Sequence, residues 1–303
     1  MKLITLKPLT PFFFGYNDTF GKKGGNYYVK SALFPQQTAI LGMIRKEILL
    51  QAGFLTRKLR DEWVDINNSN EAKKYVGSGK FKNFDDEIDL GKIKSISPIF
   101  LKKDNDFYFL MPDIKKIEKI DNEYLIDFDY KDFKFIIKHH LKDEYKEIEN
   151  VFKSVEVSGN SKNDEVDSFY KKLSYTLEEF EFAFFADIDF ELKDSIVKLG
   201  ADSSMFKMSV TETKMSFDDI EFKKYFECNE KVSLVIGDSY INDLKADFGI
   251  TKKTIFKTIK QTKKFTKTKK IELYEKGTIF INLQNDLKQF PKNIGFNYIK
   301  ELK

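Results

Sequence analysis

Between Lys252 and Lys270 the chain carries nine lysines and no acidic residue, with threonines, Phe256 and Phe265 set among them. Laid along a groove, such a run would release condensed counterions from a nucleic-acid backbone, and its aromatic rings would offer faces on which unpaired bases stack. Lys257, Lys260, Lys263 and Lys264 are the residues of this run expected to meet phosphates. The plain alternative is a solvated face in a lysine-rich protein. A second concentration lies between Phe12 and Phe34, where Gly15, Gly21, Gly24 and Gly25 stand among Phe12, Phe13, Phe14, Tyr16, Phe20, Tyr27 and Tyr28, interleaved with Lys22, Lys23 and Lys30. Glycine lets a backbone approach a sugar-phosphate chain closely, and a tyrosine can stack on a base. A helix capped near Thr38 would add unpaired N–H groups and the positive end of its dipole. Lys22, Lys23, Tyr27, Gln36, Thr38 and, about two turns along the helix, Arg45 are therefore candidates for an RNA site. The competing role for Arg45 is a bridge to a loop carboxylate inside the protein.

Other chemistry is thinly supported. The sequence has no phosphate-cradling Walker loop, no dinucleotide fingerprint, no His-Glu-x-x-His and no Gly-x-Ser-x-Gly. His139 and His140 are the only histidines, and as neighbours on a strand they would point to opposite faces and could not chelate one metal together. Acidic doublets such as Asp85-Asp86 and Asp218-Asp219 are expected by chance among 48 carboxylates and read as surface. The single cysteine, Cys228, excludes an intramolecular disulfide and any multi-cysteine metal site. With no secretory signal read at the start of the chain, the expected compartment is the reducing cytoplasm, with no cofactor, no metal and no membrane partner. The balance of 52 Lys+Arg against 48 Asp+Glu is too even to establish a nucleic-acid partner by itself, so the clustering must carry that argument.

The elements that would hold these residues follow from patterning. At 303 residues, 41% of them apolar, the chain suits about two domains and can bury about three quarters of its unfolded surface without staples. Lys2–Pro8 reads as a first or edge strand. Ile40, Leu41, Ile44 and Ile48 make one helical stripe that begins after Pro35 and stops at Gly53. A short helix is expected at Leu59–Val64, followed by a polar insertion, and then antiparallel strands with turns at Asp104-Asn105 and Asp121-Asn122. Ser158–Asn163 reads as a linker, which divides the chain into units 1–160 and 161–303. From Phe180 to Phe190 apolar residues alternate with polar ones, except that Ala183 and Phe185 interrupt the polar set. A short helix is expected at Lys193–Leu199, with strands at Met205–Val210, Val232–Ile236, Ile271–Tyr274, Thr278–Leu283 and Phe296–Ile299. This order suggests an α+β fold of two ferredoxin-like (RRM-like) domains with inserted β-hairpins.

Particular residues carry a family resemblance. Leu6-Lys7-Pro8-Leu9-Thr10-Pro11-Phe12-Phe13-Phe14-Gly15, Tyr28-Val29-Lys30-Ser31 and the stretch from Phe34 through Gln36, Gln37 and Thr38 to Arg45 resemble the opening of the Cas5-like RAMP subunit of type III-B CRISPR (Cmr) effector complexes. That family starts its first helix with Pro-x-x-Thr-x-x-Gly-x-x-Arg, matched by Pro35, Thr38, Gly42 and Arg45. Ser97–Leu101 with Phe107–Pro112 is similar to the family's central hairpin. The segment Leu199–Phe206, which contains Ser203 and Ser204, sits where the family has a Gly-containing and often more basic stretch. The family's C-terminal glycine-rich stretch is reduced here to Gly277 and Gly295.

The resemblance implies a non-catalytic structural subunit of the effector complex. It would grip the 5′ repeat-derived tag of the CRISPR RNA, dock the large polymerase-palm signalling subunit, and sit beside the backbone RAMP subunits, with target RNA contacted indirectly, in antiviral defence. On this reading Gln36, Gln37, Thr38, Arg45, Lys22, Lys23 and Tyr27 line the tag site, and Ser203, Ser204 and Lys207 are the next candidates. Two alternatives stand beside it. One is a metal-independent endoribonuclease that processes repeat RNA with His139 or His140, a lysine and a tyrosine. The other is a standalone single-strand-binding protein.

Overall fold

The structure is a computed structural model that describes residues 1–15, 28–59, 62–121, 123–128, 135–138, 145–163, 166–201, 204–257, 259–260, 266–267 and 270–303. The first strand, Lys2–Pro8, is central and not an edge. It pairs antiparallel with Glu181–Ile188 on one side and with Met205–Glu212 on the other. Glu181–Ile188 in turn pairs with Phe100–Lys103 and Ile93–Ile96. In chain order these neighbours are the fourth, first, third and second strands of a ferredoxin-like sheet, with helix α1 (Gln37–Gln51) between the first and second. Asp106–Leu110, Phe135–Lys138 and Tyr145–Ile148 extend one edge, and Ser195–Lys198 ends the other.

A second sheet repeats the arrangement at smaller scale. Ile299–Leu302, Val232–Val235, Ile279–Ile281 and Phe248–Ile250 lie side by side and antiparallel, again fourth, first, third and second in chain order. Where a second helix would cross, this unit has only the 3₁₀ turn Phe290–Ile294. The α+β reading with ferredoxin-like sheets holds.

The two sheets explain the interrupted alternation around Ala183 and Phe185. Phe182, Phe184 and Ala186 face α1, packing with Ile4, Leu6, Ile40, Ile44, Phe206 and Met208. Ala183 and Phe185 face the other way, where Phe100, Phe107 and Phe109 meet Val232, Leu234, Ile279 and Ile281 of the second sheet. A strand buried on both faces has no polar side to alternate with.

Several elements differ from the sequence expectations. Leu55–Leu59 and Glu62–Ile66 form a hairpin where a helix was expected, and the helix of that insertion is α2, Ser69–Val76. Lys193–Leu199 contains the strand Ser195–Lys198 in place of a helix, and the last strand lies at Ile299–Leu302, not Phe296–Ile299. β-Branched Val64, Ile66, Ile196 and Val197 favour strands; among the described residues Glu62–Ile66 pairs with Leu55–Leu59 alone, and Ser195–Lys198 adds to Met205–Glu212 at the edge of the large sheet. Ser158–Asn163 is no linker but part of the strand Lys153–Asn163, paired along its length with Val166–Thr176. Residue 160 thus falls inside a hairpin, and Glu181–Ile188 and Met205–Glu212 complete the sheet begun by Lys2–Pro8. Among the described residues no helix is long and apolar enough to cross a membrane.

Candidate nucleic-acid interface

Helix α1 begins at Gln37, with Gln36 in extended conformation as its N-cap and no side-chain cap, so Thr38 is the second helical residue and not the cap. Pro35 disfavours helix in the residue before it, and Gly53, at φ +76°, ends the element in the left-handed region. The chain leading to the helix is pinned from below: the Phe14 N–H donates to Ser31 Oγ at 2.8 Å and the Ala32 N–H to the Phe14 carbonyl at 3.0 Å. Phe12, Phe13 and Phe14 are themselves core. Behind them Gly200, at φ +94°, brings its backbone so close that a Cβ would stand 2.6 Å from the Phe13 carbonyl, a place open only to glycine.

The basic run begins on the strand Lys253–Phe256, which pairs antiparallel with Ile271–Tyr274. Phe256 roots this hairpin, its ring centroid 5.8 Å from Phe81, 5.4 Å from Phe84 and 5.7 Å from Phe296. Phe256 is therefore a buried anchor and not a stacking face for bases.

These elements meet around one open cleft of about 480 Å³. The pre-helix segment from Lys30 to Gln36 lines it together with Ala39, Gly200, Lys252, Thr254 and Lys257. The loop ahead of the helix and the start of the cationic run, far apart in sequence, thus share a single cavity. Its floor carries Asp238, Glu275 and Lys276. Lys276 is 8% exposed, and its ammonium lies 4.3 Å from the centroid of the Phe34 ring. Burial lowers the Lys276 pKa against the opposing pull of Asp238 and Glu275. Burial likewise raises the Glu275 carboxyl, with Lys252, 3.4 Å from Oε1, acting the other way. Glu275 Oε2 is buried with no hydrogen-bond partner.

The sequence candidates separate accordingly. Gln36 and Lys257 line the cleft, and Thr38 stands half-buried beside Gln36 at the helix start. Gln37 is buried: its Nε2 donates to the Ser97 carbonyl at 2.9 Å and the Ile294 carbonyl at 3.1 Å, and Oε1 accepts from the Ile99 N–H at 3.3 Å. Arg45 also turns inward, Nη1 donating to the Gly79 carbonyl at 3.0 Å and Nη2 to the Asp89 carbonyl at 2.7 Å. Both are internal ties, because α1 must be fixed to the insertion and to the 3₁₀ turn. Ser204 is buried in the turn after Gly200, accepting from the Phe13 N–H at 3.2 Å and donating to the Ala201 carbonyl at 2.7 Å. Lys207 is exposed on Met205–Glu212, opposite Lys7 and outside the cleft lining. Lys260 falls in the short strand Ile259–Lys260, paired with Thr266–Lys267. Lys22, Lys23, Tyr27, His139, His140, Ser203, Lys263 and Lys264 lie outside the described residues. The sequence reading missed Asp238, Glu275 and Lys276. The signal available for the last two was the reduced glycine stretch itself, since Gly277 follows them directly.

Residues 4–149 match the model of the CRISPR-associated protein (Cas_Cmr3) family. The resemblance read from the N-terminal motifs is borne out. Along its whole length the chain also has the fold of a subunit of the type III-B Cmr-beta complex bound to cognate target RNA, with a TM-score of 0.53 and 14% identity over 99% of this chain and 96% of that one. A second structure, of Cmr-beta bound to cognate target RNA and AMPPnP, gives a TM-score of 0.52 at 14% identity, covering 98% and 95%. No curated protein matches the sequence.

Proposed function

We propose that this chain is a structural, RNA-holding component of a type III-B CRISPR effector complex of the Cmr kind, working in cytoplasmic antiviral defence. Its part is to grip the 5′ repeat-derived tag of the CRISPR RNA in the cleft between the pre-helix segment and the Lys253–Tyr274 hairpin. Through its outer surfaces it docks the large polymerase-palm subunit and the neighbouring backbone subunits. The observation that carries this reading is the meeting of the two sequence candidates in one cavity, with Lys30, Lys252 and Lys257 on its rim and floor lysine Lys276 beneath. The start of α1 opens onto the same cavity through Gln36 and Ala39, so helix N–H groups and lysines act on one bound strand. Base pairing by the guide would read the target, while this chain holds backbone and splayed bases by charge and stacking.

The test is affinity in the assembled complex for CRISPR RNA with and without its tag, using wild type and Lys30→Glu/Lys257→Glu. The expected result is that the variant loses the difference between the two RNAs. An intact tag preference in a folded variant would move the site away from this cleft.

A further inference from the structure

The strand Ile271–Tyr274 has two long sides. On one it pairs with Lys253–Phe256, and the Glu275 N–H donates to the Lys252 carbonyl at 2.8 Å, which fixes the phase of that ladder. The N–H and carbonyl of Tyr274 therefore point the other way, and both bond the backbone of Ser239, each at 2.8 Å. Glu272 stands two residues before Tyr274, so its N–H and carbonyl point to that same outer side. One further rung of pairing would bring Ile241 opposite Glu272. That rung is missing: among the described residues Glu272 has no partner for these two backbone groups, and Ile241 and Glu272 instead line a second open cavity of about 560 Å³.

This cavity is cationic. Its lysines are Lys82, Lys253 and Lys270, and its acids are Asp85 and Glu272. Glu272 is held by Lys253 at 3.0 Å, and Asp85 by Lys288. Among the described residues Lys82 and Lys270 have no hydrogen-bond or ion-pair partner, and both are exposed. Glu272 is exposed as well, so an approaching chain can reach both the open strand edge and the two cations.

We infer that this edge is a docking site for an extended, acidic segment of another polypeptide, which adds as a strand beside Ile271–Tyr274. The added strand accepts from the Glu272 N–H and donates to the Glu272 carbonyl, while its carboxylates meet Lys82 and Lys270. An RNA phosphate only accepts, so it would match the lysines and leave the Glu272 carbonyl unpaired. The RNA cleft follows the other strand of the hairpin, through Lys252, Thr254 and Lys257, so the two sites can be tested apart.

The experiment uses the full chain and fluorescence anisotropy with a labelled octapeptide of alternating glutamate and valine. Its controls are the same peptide N-methylated throughout, which keeps the charges and cannot donate to a strand edge, and a lysine–valine octapeptide. Both controls should bind about tenfold more weakly or not at all, and Lys82→Glu/Lys270→Glu should weaken the glutamate–valine peptide about tenfold. Glu272→Pro should weaken it more than Glu272→Thr does, because an edge strand can lose an outward N–H without losing its ladder. The N-methylated peptide and the charge variant decide the question even where Glu272→Pro disturbs the hairpin. No binding of the glutamate–valine peptide at millimolar concentration, equal binding of its N-methylated form, or unchanged affinity in Lys82→Glu/Lys270→Glu would overturn the docking site. So would an octauridine that displaces the peptide and loses more affinity in Lys82→Glu/Lys270→Glu than in Lys30→Glu/Lys257→Glu, which would give the cavity to RNA.

Discussion

The Gln37 side chain donates to the Ile294 carbonyl at 3.1 Å, joining the first turn of α1 to the 3₁₀ turn of the second unit. Gly295, at φ +84°, passes so close that a Cβ there would lie 1.9 Å from Gln37 Nε2. With the Ser97 carbonyl and the Ile99 N–H, three buried backbone groups depend on this one amide. Gln37→Leu leaves all three unpaired and should cost about 3 kcal/mol, since each buried group left without a partner costs about 1–3 kcal/mol. Urea unfolding at equilibrium checks this, and a loss below about 1 kcal/mol would contradict it.

Arg45 makes the same point for the insertion that contains α2. Its two guanidinium hydrogen bonds go to the Gly79 and Asp89 carbonyls, so Arg45→Met should lower stability by about 1–2 kcal/mol. RNA affinity measured on the folded variant should stay within a factor of two. A selective loss of RNA binding at unchanged stability would return Arg45 to the RNA site.

Phe185 is 2% exposed and stands on the face that meets the second sheet. Phe185→Ala should cost about 3–5 kcal/mol, and Glu181→Ala, on the half-buried end of the same strand, under about 1 kcal/mol. Thermal unfolding of the two variants side by side checks the ratio.

How far the sequence carried can be judged from these same residues. The stripe Ile40, Leu41, Ile44, Ile48 located α1 because a helix with one buried face repeats on a period near 3.6. Glu181–Ile188 was legible for the corresponding reason in a strand, and its interruption at Ala183 and Phe185 already encoded a second covering layer. Short segments such as Lys193–Leu199 were misread because four or five residues do not fix a period, and pairing with Met205–Glu212 decided the outcome. Phe34, Pro35 and Gln36 line the cleft, whereas the Gln37 and Arg45 side chains turn to backbone carbonyls of the protein itself. Nothing in a glutamine or arginine reveals whether its partner is a phosphate or the protein's own carbonyls. Asp238 and Lys276 meet only because the second sheet brings the turn after Val235 against the turn before Ile279, a contact no local pattern announces.

The buried Glu275 predicts a pH effect on stability. Burial, with Asp238 adding to it, raises its carboxyl above the ordinary value, while Lys252 and Lys276 pull it down. A folded-state pKa above the unfolded one means that the folded protein takes up the proton first. Stability should therefore rise as pH falls from the raised value toward the ordinary carboxylate range. Glu275→Gln removes that contribution. Denaturant midpoints of wild type and variant between pH 7 and about pH 4.5 should converge or cross in wild type's favour as pH falls. A constant difference would show that Glu275 titrates normally.

The account stands on the claim that the cleft holds RNA phosphates, and the dependence of RNA affinity on salt tests it most directly. For single-stranded tag RNA, each lost phosphate contact should lower the log–log slope by about 0.7, so Lys30→Glu/Lys257→Glu should lower it by about 1.4 relative to wild type. A folded variant with the wild-type slope would contradict the assignment of this cleft.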